Sequence, residues 1–435
     1  MQKKKINMNN PIGTALKGKG LLTMLSRLGS ITRRYGFVDK KIDSELTLLV
    51  DILREFNCQA TLPVTATALA RHQKIARRLQ SQGIELAVHG YLHIDYSQLS
   101  LDEQIDHFQR SRQIFESAGI KPTGFRCPYL RSNSDTILAL KECGFLYDSS
   151  PALVWDVAKE WDSDSFRHVL SFYGSQPETL FPSIPHLTKG LVRIPYCLPD
   201  DEALIERFKL TNKMDMEKIW LDMLDKIYAN GELFTIGLHP ERTSLCKDAL
   251  RAVLKKARQL SPPVWIARLD EIAKWYIDLG KATFDVQTQV DGCIRIRIQG
   301  PSRAVIISRS VNIPAQKKLW SRGFYQIINN EFTISSAEKP WIGLPPNRPE
   351  SLELFLRHQG FLVEISAETS QFSYYFDQTE FNRKDERPLL TLLDNGTKPL
   401  IRLGRWPEGA KAALAVTGDV DAFTIWDYGM RIINR

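Results

Sequence analysis

Along the first two thirds of the chain the spacing of apolar positions switches repeatedly between helical and strand periods. Leu46, Leu49, Val50, Leu53 and Phe56 keep the three- and four-residue spacing of one helical face, which predicts a helix over 44–56 with Asp43 or Ser44 as its N-cap. The run Cys58-Gln59-Ala60-Thr61-Leu62-Pro63-Val64 then reads as a buried strand. The same pair of signals recurs as a helix over 67–82 closed by Gly83, a strand over 84–88, and a helix over 101–118 closed by Gly119. A strand over 123–126 follows, then a helix capped by Asn133 or Ser134 and ended by Gly144, then a strand end at Tyr147-Asp148-Ser149-Ser150. After a less regular stretch, 151–190, the pattern gives Leu191 to Tyr196, a helix over 214–229, a strand over 233–238, a helix over 245–260, a strand over 264–266 and a helix over 269–276. Alternating strands and helices of this kind predict an α/β fold with a parallel sheet.

The texture changes after residue 282. Ile294, Ile296 and Ile298 alternate with Arg295, Arg297 and Gln299, the mark of a half-buried antiparallel strand, and further β-prone runs follow at 304–308, 361–365 and 371–376. Four segments are therefore expected: a basic N-terminal stretch at 1–38, the main α/β body at 39–282, a β-rich accessory domain at 283–395, and a return to the main body at 396–435. In the last of these, Ala412 to Thr417 reads as a buried strand that ends in Gly418-Asp419-Val420-Asp421.

Composition narrows the class. The 435 residues, 43% apolar and 25% charged, suit one barrel-sized domain and a smaller one. The six cysteines are scattered and form no CxxC pair, which argues for a reducing compartment and against a disulfide framework. The net charge of +8 arises wholly from residues 1–38, which carry eight Lys or Arg and no Asp or Glu; the rest balances, so a basic nucleic-acid-binding domain is excluded. Within that segment Leu21, Leu25, Leu28, Ile31 and Tyr35 keep helical spacing, either as a helix docked on the body or as a basic amphipathic helix touching an anionic membrane. Its longest apolar patch is too short and too crowded by Lys17, Lys19 and Arg27 for a signal peptide, and no apolar run reaches the length of a membrane span. A cytoplasmic protein, peripheral to the membrane at most, is the expectation.

The candidate chemistry lies at predicted strand ends. His89 and His93, four residues apart, sit one turn above each other on a helix or tight loop and so can bind one zinc-like cation, which needs a carboxylate as well. Asp419 and Asp421, two apart, point to one side of an extended chain. Arg126-Cys127-Pro128-Tyr129 and Leu238-His239 close two other strands. Singly, each has an ordinary reading: a surface histidine pair, an arginine salt bridge before a proline turn, a satisfied histidine, acids that cap a turn. His72, His107, His168, His186 and His358 have no motif around them, and Tyr91, Tyr96, Trp155 and Trp161 stand near the motifs as sugar-stacking or packing residues.

Taken together, in this order, the pieces resemble the polysaccharide deacetylase family, carbohydrate esterase family 4, through His89-Gly90-Tyr91-Leu92-His93, Arg126-Cys127-Pro128-Tyr129 and Leu238-His239, with Ala60-Thr61 and Tyr147-Asp148-Ser149-Ser150 in support. The resemblance implies an irregular seven- or eight-stranded βα barrel. The family's acid pair usually precedes the Ala-Thr strand by a few tens of residues, yet residues 1–38 contain no carboxylate; Asp419 and Asp421 supply the pair instead, so the chain looks circularly permuted around a β-rich insert. Gly90 stands where Ser or Thr is usual, and Asp-Val-Asp replaces adjacent acids. By the resemblance, Asp421, His89 and His93 hold a divalent metal, zinc for preference. Asp419 is the general base, Arg126 its partner, the backbone at Tyr129 part of the oxyanion site, and His239 the acid for the departing amine. The implied function is removal of N-acetyl groups from an amino sugar of a polysaccharide or glycan precursor. Two alternatives are a catalytically inactive glycan- or partner-binding protein on this fold and an amidase acting on a non-sugar amide.

Overall fold

The buried runs become eight parallel strands in a computed structural model that describes residues 34–433, apart from 315 and 322. They are β1 (Ala60–Val64), β2 (Glu85–Val88), β3 (Gly124–Phe125), β4 (Tyr147–Asp148), β5 (Leu191–Arg193), β6 (Leu233–Leu238), β7 (Val264–Ile266) and β8 (Ala412–Gly418). Their order in the sheet is β6-β8-β1-β2-β3-β4-β5, with the hairpin strand His186–Thr188 antiparallel on β5 and β7 beside the start of β8. The sheet curls into the irregular barrel expected, and its open side is spanned by irregular chain in which the Ser183 carbonyl accepts from the Leu233 N–H at 2.8 Å.

β8 joins strands that are far from it in sequence. One edge pairs with β6 from Ala413 to Gly418; the other pairs with β7 at Ala412–Leu414 and with β1 at Val416 and Thr417. Its side chains divide strictly by parity, as an extended chain requires. Ala412, Leu414 and Val416 join the core under the outer helices, and Ala413 and Ala415 join a second core that continues into residues 283–403.

Several elements depart from the periodicity. The first helix runs Lys40–Glu55 and starts earlier than expected, because buried Ile42 extends the apolar stripe back by a turn. The single helix expected over 67–82 is two, Ala66–Arg71 and Gln73–Ser81, broken at His72, whose ring contacts Asp39 and Asp427. The histidine pair lies on a loop, one of the two settings expected for it. The last helix of the main body continues to Gly280, with Leu279 buried. The stretch 151–190 holds a helix, Asp164–Tyr173, capped by the Ser163 hydroxyl. Residues 283–403 carry the expected antiparallel strands, but also a parallel sheet of Lys339–Leu344 between Val363–Ile365 and Phe372–Tyr375, and two helices, Glu350–His358 and Arg383–Asn395. Pro388 inside the second helix hides it from propensity, since proline is a helix breaker anywhere but the first turn.

No helix of the described residues is long and apolar enough to cross a membrane. The expected amphipathic helix over 21–35, with its membrane contact, falls outside the described residues except for its last two positions.

One carboxylate fastens the segment after β8 to the barrel. Asp427 accepts from the N–H groups of Phe423 and Thr424, from Arg71 Nε at 2.5 Å and from His72 Nε2 at 3.0 Å. Burial raises its pKa, but the hydrogen bonds from His72 and Arg71 outweigh that and hold it at about 2. Since the folded value is depressed, this contribution to stability is complete above the ordinary carboxylate pKa and is lost as the pH falls toward 2. Asp427→Ala is expected to cost about 3 kcal/mol. Denaturant titrations of wild type and variant at neutral pH would measure it, and the difference should shrink in acid.

Candidate active site

The parity of β8 decides where its acids go. Alternation continues through Thr417 into Asp419 and Asp421, so both carboxylates face the barrel interior although Val420 intervenes. The turn is held from both sides: Asp419 N–H donates to Leu238 O of β6 at 2.9 Å, and Val420 N–H donates to Pro63 O of β1 at 2.8 Å. Thr65 Oγ1 donates to the Asp421 carbonyl at 2.9 Å.

Across from this turn, the loop after β2 presents His89 and His93. Asp421 Oδ1 lies 3.4 Å from His89 Nε2 and 3.3 Å from His93 Nε2. His89 Nδ1–H donates to the Arg126 carbonyl at 3.0 Å, which fixes its tautomer and leaves the Nε2 lone pair toward the acid. Gly90 is required between them. Its φ is +80°, and a Cβ there would lie 2.7 Å from the Tyr96 ring and 2.9 Å from Leu92 O. Tyr96 itself is fully buried, with its hydroxyl accepting from Tyr91 N–H at 2.7 Å. It is a packing residue that shapes the loop, not a sugar platform, and Trp155 is likewise buried in the core.

Arg126, at the end of β3, is fully buried and uses its whole guanidinium. Nη1 donates to Asp419 Oδ1 at 2.7 Å and to Thr417 Oγ1 at 3.0 Å, while Nε and Nη2 donate to Ser149 O and Oγ. The group lies over the Tyr196 ring, 4.7 Å from its centroid. Tyr196 in turn needs Gly237, where a Cβ would fall 1.9 Å from its hydroxyl. Tyr129 follows with φ +58° and Leu130 with φ +55°, two successive left-handed residues that carry the chain across the mouth of the barrel. The Tyr129 ring meets His93 edge-on at 4.5 Å.

His239, at the end of β6, is set by a residue that the periodicity does not single out. Asp201 Oδ2 accepts from the His239 backbone N–H and Oδ1 from its Nδ1–H, both at 2.7 Å. Burial pulls the His239 pKa down, yet the Asp201 charge and hydrogen bond together carry it up to about 10. Burial by itself would raise Asp201, but the adjoining imidazolium holds it below the usual carboxylate range. Next to it Asp200 is pushed up to about 6, by burial first and then by the charge of Asp201. The only sequence signal for this group is the run Asp200-Asp201-Glu202 directly after a buried strand.

These side chains open onto one cleft of about 330 Å³ lined by His89, His93, Tyr129, His239, Asp419 and Asp421, with Arg34, Phe172 and Tyr173 at its walls. All the sequence-predicted residues but Arg126 line it, and Arg126 stands directly behind Asp419. Arg34, an unpredicted member, pairs with Glu241 and reaches within 3.9 Å of Asp421 Oδ2. The ligand atoms of His89, His93 and Asp421 lie within 4.8 Å of one another, so two imidazoles and a carboxylate converge on one point, a donor set that fits a zinc-like divalent cation. Asp200, Asp201 and His239 are as close together. Their oxygens already accept from Tyr196 OH, Ala203 N–H and His239, so that group reads as a hydrogen-bonded acid–imidazole unit.

Residues 38–147, from the first helix through β4, match the polysaccharide deacetylase family. A curated relative, a peptidoglycan deacetylase-like protein of Gibberella zeae, is 26% identical over 220 residues, 46% of this chain and 65% of its own length. The chain thus spans about two thirds of that relative. Among solved structures, a probable polysaccharide deacetylase from Pseudomonas aeruginosa is 22% identical with a TM-score of 0.43, covering 54% of this chain and 73% of its own. One from Mycobacterium smegmatis, also 22% identical with a TM-score of 0.43, covers 60% and 84%. Over residues 38–147 the chain is thus similar to the polysaccharide deacetylase family.

Proposed function

We propose that the protein is a metal-dependent N-deacetylase that hydrolyses the acetamide of an amino sugar in a polysaccharide or glycan precursor. The observation that carries this reading is the convergence in one cleft of three units: the His89–His93–Asp421 ligand set, the Asp419–Arg126 ion pair and the Asp201–His239 pair. His89, His93 and Asp421 would hold the cation, whose Lewis acidity lowers the pKa of a water and polarises a carbonyl.

The chain's own residues divide the proton transfers. Arg126 engages Oδ1 of Asp419 and orients the carboxylate, so that Oδ2 takes the proton of the attacking water. That water adds to the acetamide carbon, and the C–N bond then breaks. His239, with Nδ1–H held by Asp201, gives the Nε2 proton to the departing amine nitrogen, which makes acetate and a free amino sugar. The backbone N–H at Tyr129, whose ring meets His93 edge-on, would donate to the developing oxyanion. An amine is a poor leaving group, so a cleft with both a base and a pre-charged acid favours amide hydrolysis over simple binding of a glycan.

The same reading takes the chain as circularly permuted around the segment 283–395. The insertion of β8 between β6 and β1 supports it, because that slot brings the acid pair to the strand ends that carry the other motifs.

Asp421→Ala is expected to lose the bound metal, about one per chain in wild type, and to release no acetate from N-acetylglucosamine oligomers. Elemental analysis beside an acetate assay checks both. Metal retained with activity intact would move the acid to another residue and sink the assignment. Asp201→Asn is expected to keep metal but to lower the His239 pKa. Because that pKa is raised in the wild type, the acid form persists to alkaline pH, and the alkaline limb of the kcat profile should move down by a unit or more in the variant. An unchanged limb would remove His239 as the acid.

A further inference from the structure

A second cleft, about 400 Å³, adjoins the first and has no lining carboxylate. The two share Leu130, Phe172 and Tyr173 as a common wall. Five carboxylates, Asp200, Glu202, Glu206, Asp419 and Asp421, line the first, with Arg34 and Arg207 the arginines among them. The second is lined by Arg131, Arg193, Arg383 and His186 with several serine hydroxyls, and no carboxylate is among its lining residues. One turn of chain serves both: the left-handed pair Tyr129 and Leu130 places Tyr129 in the first cleft, and Arg131 and Ser132 follow in the second.

The arginines are held from behind, as in a built site. Asp148, wholly buried, takes Arg193 Nε at 2.7 Å, while Arg193 Nη2 donates to Ser132 Oγ at 3.3 Å. Glu386 pairs with one Nη of Arg383. Arg131 is fully engaged, by Asp95 at 2.8 Å, by the Phe172 carbonyl at 2.7 Å and by Ser97, and it stacks on the Phe172 ring, so it supplies charge and wall. Each arginine has an acid behind it, but no carboxylate faces the cleft beside them. Burial keeps Arg383 below the usual arginine value despite Glu386, with Arg193 adding to the effect. His186, between them, has a buried Nδ1 without a hydrogen-bond partner, and burial and the two arginines keep its ring uncharged. Guanidiniums gathered on one cavity repel one another until an anion enters, and Arg forks match the oxygens of phosphate and carboxylate.

We propose that this cleft binds an anionic group, phosphate or carboxylate, carried by the same amino sugar whose acetamide enters the cleft of His89, His93 and Asp421. The inference rests on the deacetylase reading for the identity of the ligand, but not for the anion site itself. An amino sugar whose anion is borne on a ring carbon next to the acetamide can place the two groups in two adjoining clefts at once, and the anion sets the direction of binding.

The test measures acetate release by the metal-loaded full chain from N-acetylglucosamine, N-acetylglucosamine 1-phosphate and N-acetylmuramic acid, with calorimetric binding of the same three compounds. The expected result is a preference of about tenfold in kcat/KM for one of the anionic sugars, carried by KM, and its collapse toward unity in Arg383→Gln with partial rescue by Arg383→Lys. Which anionic sugar is preferred separates phosphate from carboxylate. Should Arg383→Gln not fold, the wild type decides, since raising NaCl should raise KM for the anionic sugar and leave the neutral one unmoved. Equal use and equal binding of neutral and anionic sugars would overturn the proposal while leaving the deacetylase reading intact. Arg383-dependent binding of an anionic sugar with no acetate released from any of the three would do the reverse.

Discussion

The pairing of β8 with β6 on one edge and with β1 on the other is the constraint on which the site depends. Asp419 is 293 residues from Arg126, and Asp421 is more than 300 from the two histidines it faces. No local interaction holds groups so separated in sequence within hydrogen-bond reach. The ladder does, because its register fixes Gly237 opposite Thr417 and Thr61 opposite Thr417 at once. With both edges paired, the turn 418–421 has its N–H groups committed to Leu238 and Pro63, and the carboxylates have one direction left.

Given that frame, the buried charges are arranged in pairs, as the cost of desolvating an unpaired one requires. Arg126 has Asp419, His239 has Asp201, and Arg193 has Asp148. The floor of the barrel follows the same rule with a different outcome. Glu85 accepts from Thr61 Oγ1 at 2.6 Å and from Tyr147 OH at 2.8 Å, and its pKa is carried to about 7 by burial and by the nearby Asp270. The interior therefore grades from a hydrogen-bonded carboxyl at the floor to salt-bridged pairs nearer the mouth. Groups fixed before substrate arrives need little reorganisation during reaction, which is where electrostatic catalysis gains most.

The helix Asp164–Tyr173 and the turn 129–132 together make the wall between the two clefts. The left-handed backbone at Tyr129 and Leu130 is an unfavourable conformation for non-glycine residues, and it persists because packing on both sides over-determines it. The wall divides a carboxylate-rich cavity from an arginine-lined one, so the geometry of a few residues keeps the two kinds of charge apart.

The sequence by itself determined the alternation of strands and helices, the parity that turns Asp419 and Asp421 to one side, and the strand-end positions of His89, His93, Arg126 and His239. All of these are local: a period of two or of 3.6, a cap, a spacing of four. The break of a helix at His72, the helix hidden behind Pro388, the role of Asp201 and the approach of Arg34 to Asp421 were decided only by the tertiary structure. Each depends on a partner supplied by a distant strand or helix, and periodicity carries no information about which distant element that is. The run Asp200-Asp201-Glu202 shows the boundary well. Its acidity is visible in the sequence, but its alignment with His239 is fixed by the packing of Tyr196–Leu198 against β6, through contacts between side chains far apart along the chain.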